Sequence, residues 1–280
     1  MRTTGLVVVP ARLSSTRLPR KMLLRETGQY LFEHTARNAL RAERVRAVWV
    51  AVDDASVAEA ATEVGLRALE TDPAHPSGTD RVREAAQKLR ESGALEERDI
   101  VVNVQGDEPE LAPGDLDALL AAFEDPEVDI ATLWAPIGSA REAEDPASVK
   151  LVLDARGRAL YFSRSRLPSL AHPSAQADPS APHGRRHVGV YAFRLATLER
   201  CCALAVGRLE RAEGLEQLRW LEAGESIHVL EASAAPPGID TADDYAAFVQ
   251  RVRAGATPPA GADATGASSR PGPPDSPSSP

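Results

Sequence analysis

Three short apolar runs, Leu6–Pro10, Val48–Val52 and Ile100–Gln105, are separated by stretches with helical periodicity. Each run is too short for a buried helix and lacks the strict alternation of a half-solvated strand. Such runs read as strands covered on both faces. Helices are expected over about Tyr30–Ala42 and Thr79–Leu89, with another opened by a capping box of Ser56 and Glu59. Strands alternating with helices in this way imply an α/β fold whose mostly parallel sheet carries helices on both faces. Ligands of such sheets bind beyond the carboxyl ends of the strands.

The second half is less regular. Val149–Leu153 and Ala159–Ser163 read as a hairpin turned by Asp154-Ala155-Arg156-Gly157, and His187–Phe193 as a further strand. Helices are expected at about Leu195–Leu204 and Gly214–Glu222, and a strand at Ile227–Leu230. Thr241 with Asp244 caps a last helix reaching about Arg253. Ser169–Gly184 is rich in Pro, Ala and Ser and reads as a mobile loop. The tail from Ala254 has too few large apolar residues to pack. A single domain over 1–253, with a smaller part at about 149–225, and a disordered tail over 254–280 is the expected organisation.

Composition narrows the partners. A net charge of −9 argues against a general nucleic-acid or anionic-membrane binder, which needs a basic face. The apolar run near the start is too short for a signal-peptide core or a membrane span, so a cytoplasmic protein is expected. Cys201 and Cys202 are adjacent and have no other cysteine to pair with, so they read as ordinary thiols.

The loop Pro10-Ala11-Arg12-Leu13-Ser14-Ser15-Thr16-Arg17-Leu18-Pro19-Arg20-Lys21 gathers four cations and three hydroxyls just after a buried strand. Cations beside turn amides suit a polyphosphate, although a solvated basic loop has the same composition. It is not a Walker loop, because GxxxxGK is absent. Asn103-Val104-Gln105-Gly106-Asp107-Glu108-Pro109 puts a carboxylate at another strand end, where it either joins a hard cation such as Mg²⁺ or satisfies turn amides. Asp240 precedes the last helix and by itself favours that helix's dipole. Ser77-Gly78-Thr79-Asp80-Arg81 opens a helix, and Thr79 alone reads as its cap.

The segments PARLSSTRLPRK, HPSGTDR, VNVQGDEP, KLVLDARGRALYFSRSRLP, HVGVYAFR, LEQLRWLEAGESIHV and GIDTADD together resemble the 3-deoxy-manno-octulosonate (Kdo) cytidylyltransferases, also called CMP-Kdo synthetases. The likeness runs from about residue 5 to residue 250, in the family's order. It implies a Rossmann-like nucleotidyltransferase fold with a smaller sugar-binding and dimerisation part. It also implies a reaction joining CTP and Kdo to give CMP-Kdo and pyrophosphate for lipopolysaccharide biosynthesis, in a homodimer.

By the same resemblance, Ala11 and Arg12 meet the nucleotide, Arg17 and Lys21 hold its phosphates, and Ser77, Gly78 and Arg81 close on the cytidine. Asp107 and Asp240 correspond to Mg²⁺ ligands. Gln105, Arg164, His187, Tyr191, Glu216 and Gln217 correspond to positions lining the sugar pocket. Leu215, Leu218 and Leu221 offer either a dimer face or core packing. The chain departs from the family pattern at Arg20, where glycine usually precedes the lysine, at Pro76, and in Ser169–Gly184. If position 20 takes a positive φ, arginine strains the loop there. Another acidic sugar, or a CTP-binding module without catalysis, are the competing expectations.

Overall fold

β1 (Gly5–Ala11) is buried along its whole length, and its alternation divides the core. Val7, Val9 and Ala11 face one layer, with Phe32, Ala36, Val57, Leu116 and Leu119. Leu6 and Val8 face the other, with Val82, Ala85, Leu89, Phe193, Leu198 and Trp220. Each large apolar side chain buried in this way contributes about 1.5–3 kcal/mol, so the two faces together fix the strand's register. The computed structural model describes residues 2–169, 184–233 and 238–255. The loop expected over Ser169–Gly184 and the tail expected from Ala254 fall almost wholly outside them.

β1 pairs in parallel with β2 (Val45–Val52) and with β4 (Ile100–Asn103), and β2 with β3 (Arg67–Glu70). β8 (Arg185–Arg194) is antiparallel both to β4 and to β5 (Ile130–Pro136), and β9 (Ile227–Glu231) is parallel to β5. The strand order is β3-β2-β1-β4-β8-β5-β9. The hairpin of β6 (Lys150–Leu153) and β7 (Ala159–Ser163) leaves this path and joins it through β8. α1 (Leu31–Ala39), α2 (Ala55–Glu63) and α4 (Pro113–Ala122) pack on one face. On the other lie α3 (Gly78–Glu91), α6 (Leu195–Ala203) and α8 (Gln217–Glu222). α5 (Ala140–Glu144), α7 (Arg208–Glu213) and α9 (Ala242–Arg253) complete the helices.

Several local expectations are corrected. Asp54, not Ser56, caps α2, because its carboxylate accepts the Ser56 amide at 2.8 Å. Ser77, not Thr79, caps α3, its hydroxyl accepting the Asp80 amide at 3.0 Å. The helix expected over Gly214–Glu222 starts only at Gln217, and Gly214 instead ends α7 in the left-handed region at φ 63°. Leu215 and Leu218 are buried in the core beside Trp220, with Leu221 packed against them. Cys201 is buried, Cys202 is half-buried, and both are free thiols. Among the described residues no helix is long and apolar enough to cross a membrane.

Candidate active site

The basic loop leaves the carboxyl end of β1 and returns through a 3-10 turn, Lys21–Leu23. Its root is anchored from below: Asp53, just past β2, accepts the Leu13 amide at 2.9 Å. Arg12, Ser14, Ser15, Thr16, Arg17 and Lys21 line a cavity of about 470 Å³, closed opposite by Gly78, Gln105, Gly106, Asp107 and Asp240. Gly106 has no room for a side chain. A Cβ there would lie 2.8 Å from Met22 Sδ and 3.1 Å from the Pro10 carbonyl. Thr35 Oγ1 also holds the Gly106 carbonyl at 2.9 Å. The turn bearing Asp107 is thereby pressed against the loop bearing Lys21.

Asp107 and Asp240, distant in sequence, meet at Lys21. The Lys21 ammonium donates to the Asp107 carboxylate, to Asp240 Oδ1 at 3.2 Å and to the Ile239 carbonyl at 3.1 Å. Arg17 Nη2 reaches Asp240 Oδ1 at 3.0 Å. The Ile239 amide donates to the Asp107 carbonyl at 3.0 Å, stitching the two acidic turns together through the backbone. Burial alone would pull the lysine pKa down, but the two carboxylates more than offset this and raise it. The ammonium is therefore a fixed positive charge at the point where the acidic turns converge.

This donor set suits a hard cation. No cluster of three or more His, Cys, Asp or Glu side chains is placed to hold a metal among the described residues. Two carboxylates with phosphate oxygens and water are the surroundings Mg²⁺ commonly takes.

A second cavity, of about 710 Å³, shares Arg17 and Asp240 with the first and runs past Glu108, Glu142, Asp145, Arg186, His187 and Asp244. His187 Nε2 lies 2.9 Å from Thr132 Oγ1, and Phe162 and Tyr191 pack against its ring. Burial and the neighbouring Arg186 push its pKa down to about 3, so the imidazole is neutral at ordinary pH. Glu108 is pushed up to about 8, first by burial and then by Asp107. Arg186 pairs with Glu142 at 3.0 Å. Glu108 and Arg186 were missed as individuals in the sequence, although each adjoins a residue that was singled out.

Other expected site residues sit elsewhere. Ala11 is buried within β1. Arg81 is wholly buried, with its guanidinium on Thr71 Oγ1 at 2.6 Å and Asp53 at 3.3 Å, so it braces the root of the loop from below. Arg164 is spent on the carbonyls of Pro146, Glu213 and Gly214. Tyr191 and Gln217 are buried, the former between His187 and Trp220. Glu216 faces Ser77 and Thr79 rather than either cavity. Arg20 adopts φ 54° and ψ 29°, and among the described residues it alone has positive φ without being glycine.

The sequence model of the cytidylyltransferase family matches residues 6–227. A 3-deoxy-manno-octulosonate cytidylyltransferase of Xanthomonas oryzae pv. oryzae is 44% identical over 251 residues, covering 88% of this chain and 95% of that protein. An Escherichia coli protein of the same name is 41% identical over 251 residues, covering 89% and 95%. A solved CMP:2-keto-3-deoxy-manno-octonic acid synthetase in complex with CTP superimposes with a TM-score of 0.78 at 40% identity, covering 90% of this chain and 98% of that one. A 4-diphosphocytidyl-2C-methyl-D-erythritol synthase, 15% identical with a TM-score of 0.59, shares the fold.

Proposed function

The chain belongs to the 3-deoxy-manno-octulosonate cytidylyltransferases, and from that membership we propose that it transfers CMP from CTP to the anomeric hydroxyl of Kdo. Pyrophosphate is released, and the CMP-Kdo formed serves lipopolysaccharide biosynthesis. The observation that carries the reading is the meeting of Asp107 and Asp240 at Lys21, where two cavities share Arg17 and Asp240. Two anions, a triphosphate and a sugar acid, have to be brought together here. A basic loop in one cavity and a shared arginine between both offset their repulsion.

In this reading the first cavity holds the nucleotide and the second the sugar. Arg12, Ser14, Ser15 and Thr16 offer the donors a triphosphate needs. Lys21 and Arg17 stabilise the charge that moves onto pyrophosphate as the bond to the α-phosphorus breaks. Neutral His187 acts as a hydrogen-bonding wall of the sugar cavity, and general-base work by it is not required if a metal activates the hydroxyl. Asp107 and Asp240 would hold Mg²⁺, which lowers the pKa of an attacking hydroxyl and neutralises charge on the α-phosphate. A homodimer in the cytoplasm belongs to the same proposal; light scattering and cell fractionation check the two parts.

The direct test is pyrophosphate release from CTP with Kdo or with sialic acid, with and without Mg²⁺. Release that requires both Kdo and Mg²⁺ is the expected result. Faster release with sialic acid would move the reading to another acidic sugar. CTP binding with no release under any condition would end the catalytic reading.

A further inference from the structure

The Ser77-Gly78-Thr79 turn is tied to the start of α8 by an unusual set of oxygen contacts. Ser77 Oγ lies 2.8 Å from Asp80 Oδ2 and 2.8 Å from Glu216 Oε1, while accepting the Asp80 amide at 3.0 Å. Thr79 Oγ1 donates to the other carboxyl oxygen, Glu216 Oε2, at 2.6 Å. A hydroxyl carries one proton. Ser77 can therefore donate to one of its two carboxyl neighbours, and its contact with the other needs a proton from the other side.

If Glu216 is protonated at Oε1, every contact is satisfied. Glu216 donates to Ser77 Oγ, Ser77 donates to Asp80, and Thr79 donates to Glu216 Oε2. Asp80 lies in the first turn of the fourteen-residue α3, where the helix dipole favours negative charge. We infer that protonated Glu216 is a positioning residue that pins the Ser77–Thr79 turn, and with it Gly78, against the nucleotide cavity. Gly78 lines that cavity, and a Cβ placed there would lie 3.2 Å from Gln105 Oε1, so small shifts of the turn are felt at the wall. The inference rests on the reading that the first cavity takes CTP.

The surroundings of Glu216 agree. Burial raises its pKa most, and Asp80 adds to the rise while Ser77, Thr79 and Arg219 oppose it. Arg219, the cation that opposes the rise, is committed to Glu210 through two contacts of 2.6 and 2.5 Å. From β8 the group is faced by Tyr191, and from α6 by the Cys201 and Cys202 thiols, all held in their neutral forms by burial. An acid whose folded-state pKa is raised contributes its stabilisation fully below its unfolded value, and loses it as pH rises through the raised one. Ionisation would then set two carboxylates on one hydroxyl and loosen the turn.

The test measures CTP affinity by calorimetry from the ordinary carboxylate range, at pH 5, up to pH 9 for the wild type, Glu216→Gln and Glu216→Ala, together with the Kdo KM. Glutamine is a neutral mimic of the protonated acid, with an amide to donate to Ser77 and a carbonyl to accept from Thr79. Wild-type affinity is expected to weaken about fivefold or more across the transition. E216Q should keep its acid-side affinity throughout, and E216A should be weak throughout. Parallel profiles for the wild type and E216Q would overturn the inference, as would E216Q behaving like E216A or an effect confined to the Kdo KM. A chain that binds no CTP at any pH would sink the nucleotide reading instead. Urea unfolding then decides the pin alone: the wild type must lose stability relative to E216Q as pH rises, and equal slopes would refute it.

Discussion

At the scale of single residues, what the sequence reveals is chemical type, and what it hides is direction. Lys21 and Asp107 were legible because charged residues gathered at strand ends have few places to go, whereas Asp240 alone read as a helix-dipole residue and was drawn to the site only by the family resemblance. Arg81 and Glu216 were not, because nothing in their neighbours says that one side chain turns under the loop and the other across to α3. Arg20 is the clearest local conflict. At φ 54° a side chain costs about 1–2 kcal/mol, which glycine avoids. Arg20→Gly is therefore expected to stabilise the fold by roughly 0.5 kcal/mol once glycine's extra unfolded-state entropy is subtracted. Arg20→Ala, which keeps the strain, should give no gain, and equal urea midpoints for R20G and R20A would contradict this account. Asp107→Asn tests the chemistry at the same scale. Turnover should fall about a hundredfold or more with the circular dichroism unchanged, and near-normal turnover at saturating Mg²⁺ would remove Asp107 from the machinery.

Among the elements, those with strong apolar runs or paired capping residues were readable: β1, β2, β4, the β6–β7 hairpin, β8, β9 and α9. β3 escaped because Arg67–Glu70 is a short edge segment with no buried residue, so no hydrophobic run marks it. β5 escaped because Thr132 interrupts its apolar sequence, and Thr132 is buried only because its hydroxyl bonds the Val190 carbonyl at 2.6 Å across the sheet. That is a tertiary fact no local pattern carries. The α9 cap has a consequence for the site as well as for the helix. Asp244 Oδ2 accepts both the Thr241 amide at 2.8 Å and the Asp240 amide at 3.2 Å, so the capping box also sets the backbone from which Asp240 reaches Lys21. Thr241→Ala should cost about 1 kcal/mol of stability and lower turnover too. Thr241→Ser should restore both, since serine keeps the hydroxyl. Normal turnover in T241A, despite the stability loss, would show that Asp240 does not depend on the cap.

For the whole molecule, the antiparallel insertion of β8 between β4 and β5 is the arrangement that makes two cavities share one set of charges. It brings Arg186 and His187 alongside the acidic turn after β4, while the segment just before α9 supplies Asp240 from the far end of the chain. A ligand spanning these parts couples their stabilities, because whatever binds only the folded state stabilises it by mass action. At a concentration about a hundred times its Kd, one ligand adds about 2.7 kcal/mol, and about 2–4 °C in Tm accompanies each kcal/mol in a chain of this size. CTP alone should therefore raise the melting temperature, and CTP with Mg²⁺ should raise it further. The increment due to Mg²⁺ is the discriminating quantity. In Asp240→Asn the CTP shift should persist, since the basic loop is intact, while the added Mg²⁺ shift should shrink towards zero. An undiminished Mg²⁺ increment in D240N would mean that the ion is held without Asp240. Asp240 would then serve to hold Lys21 in place rather than a metal.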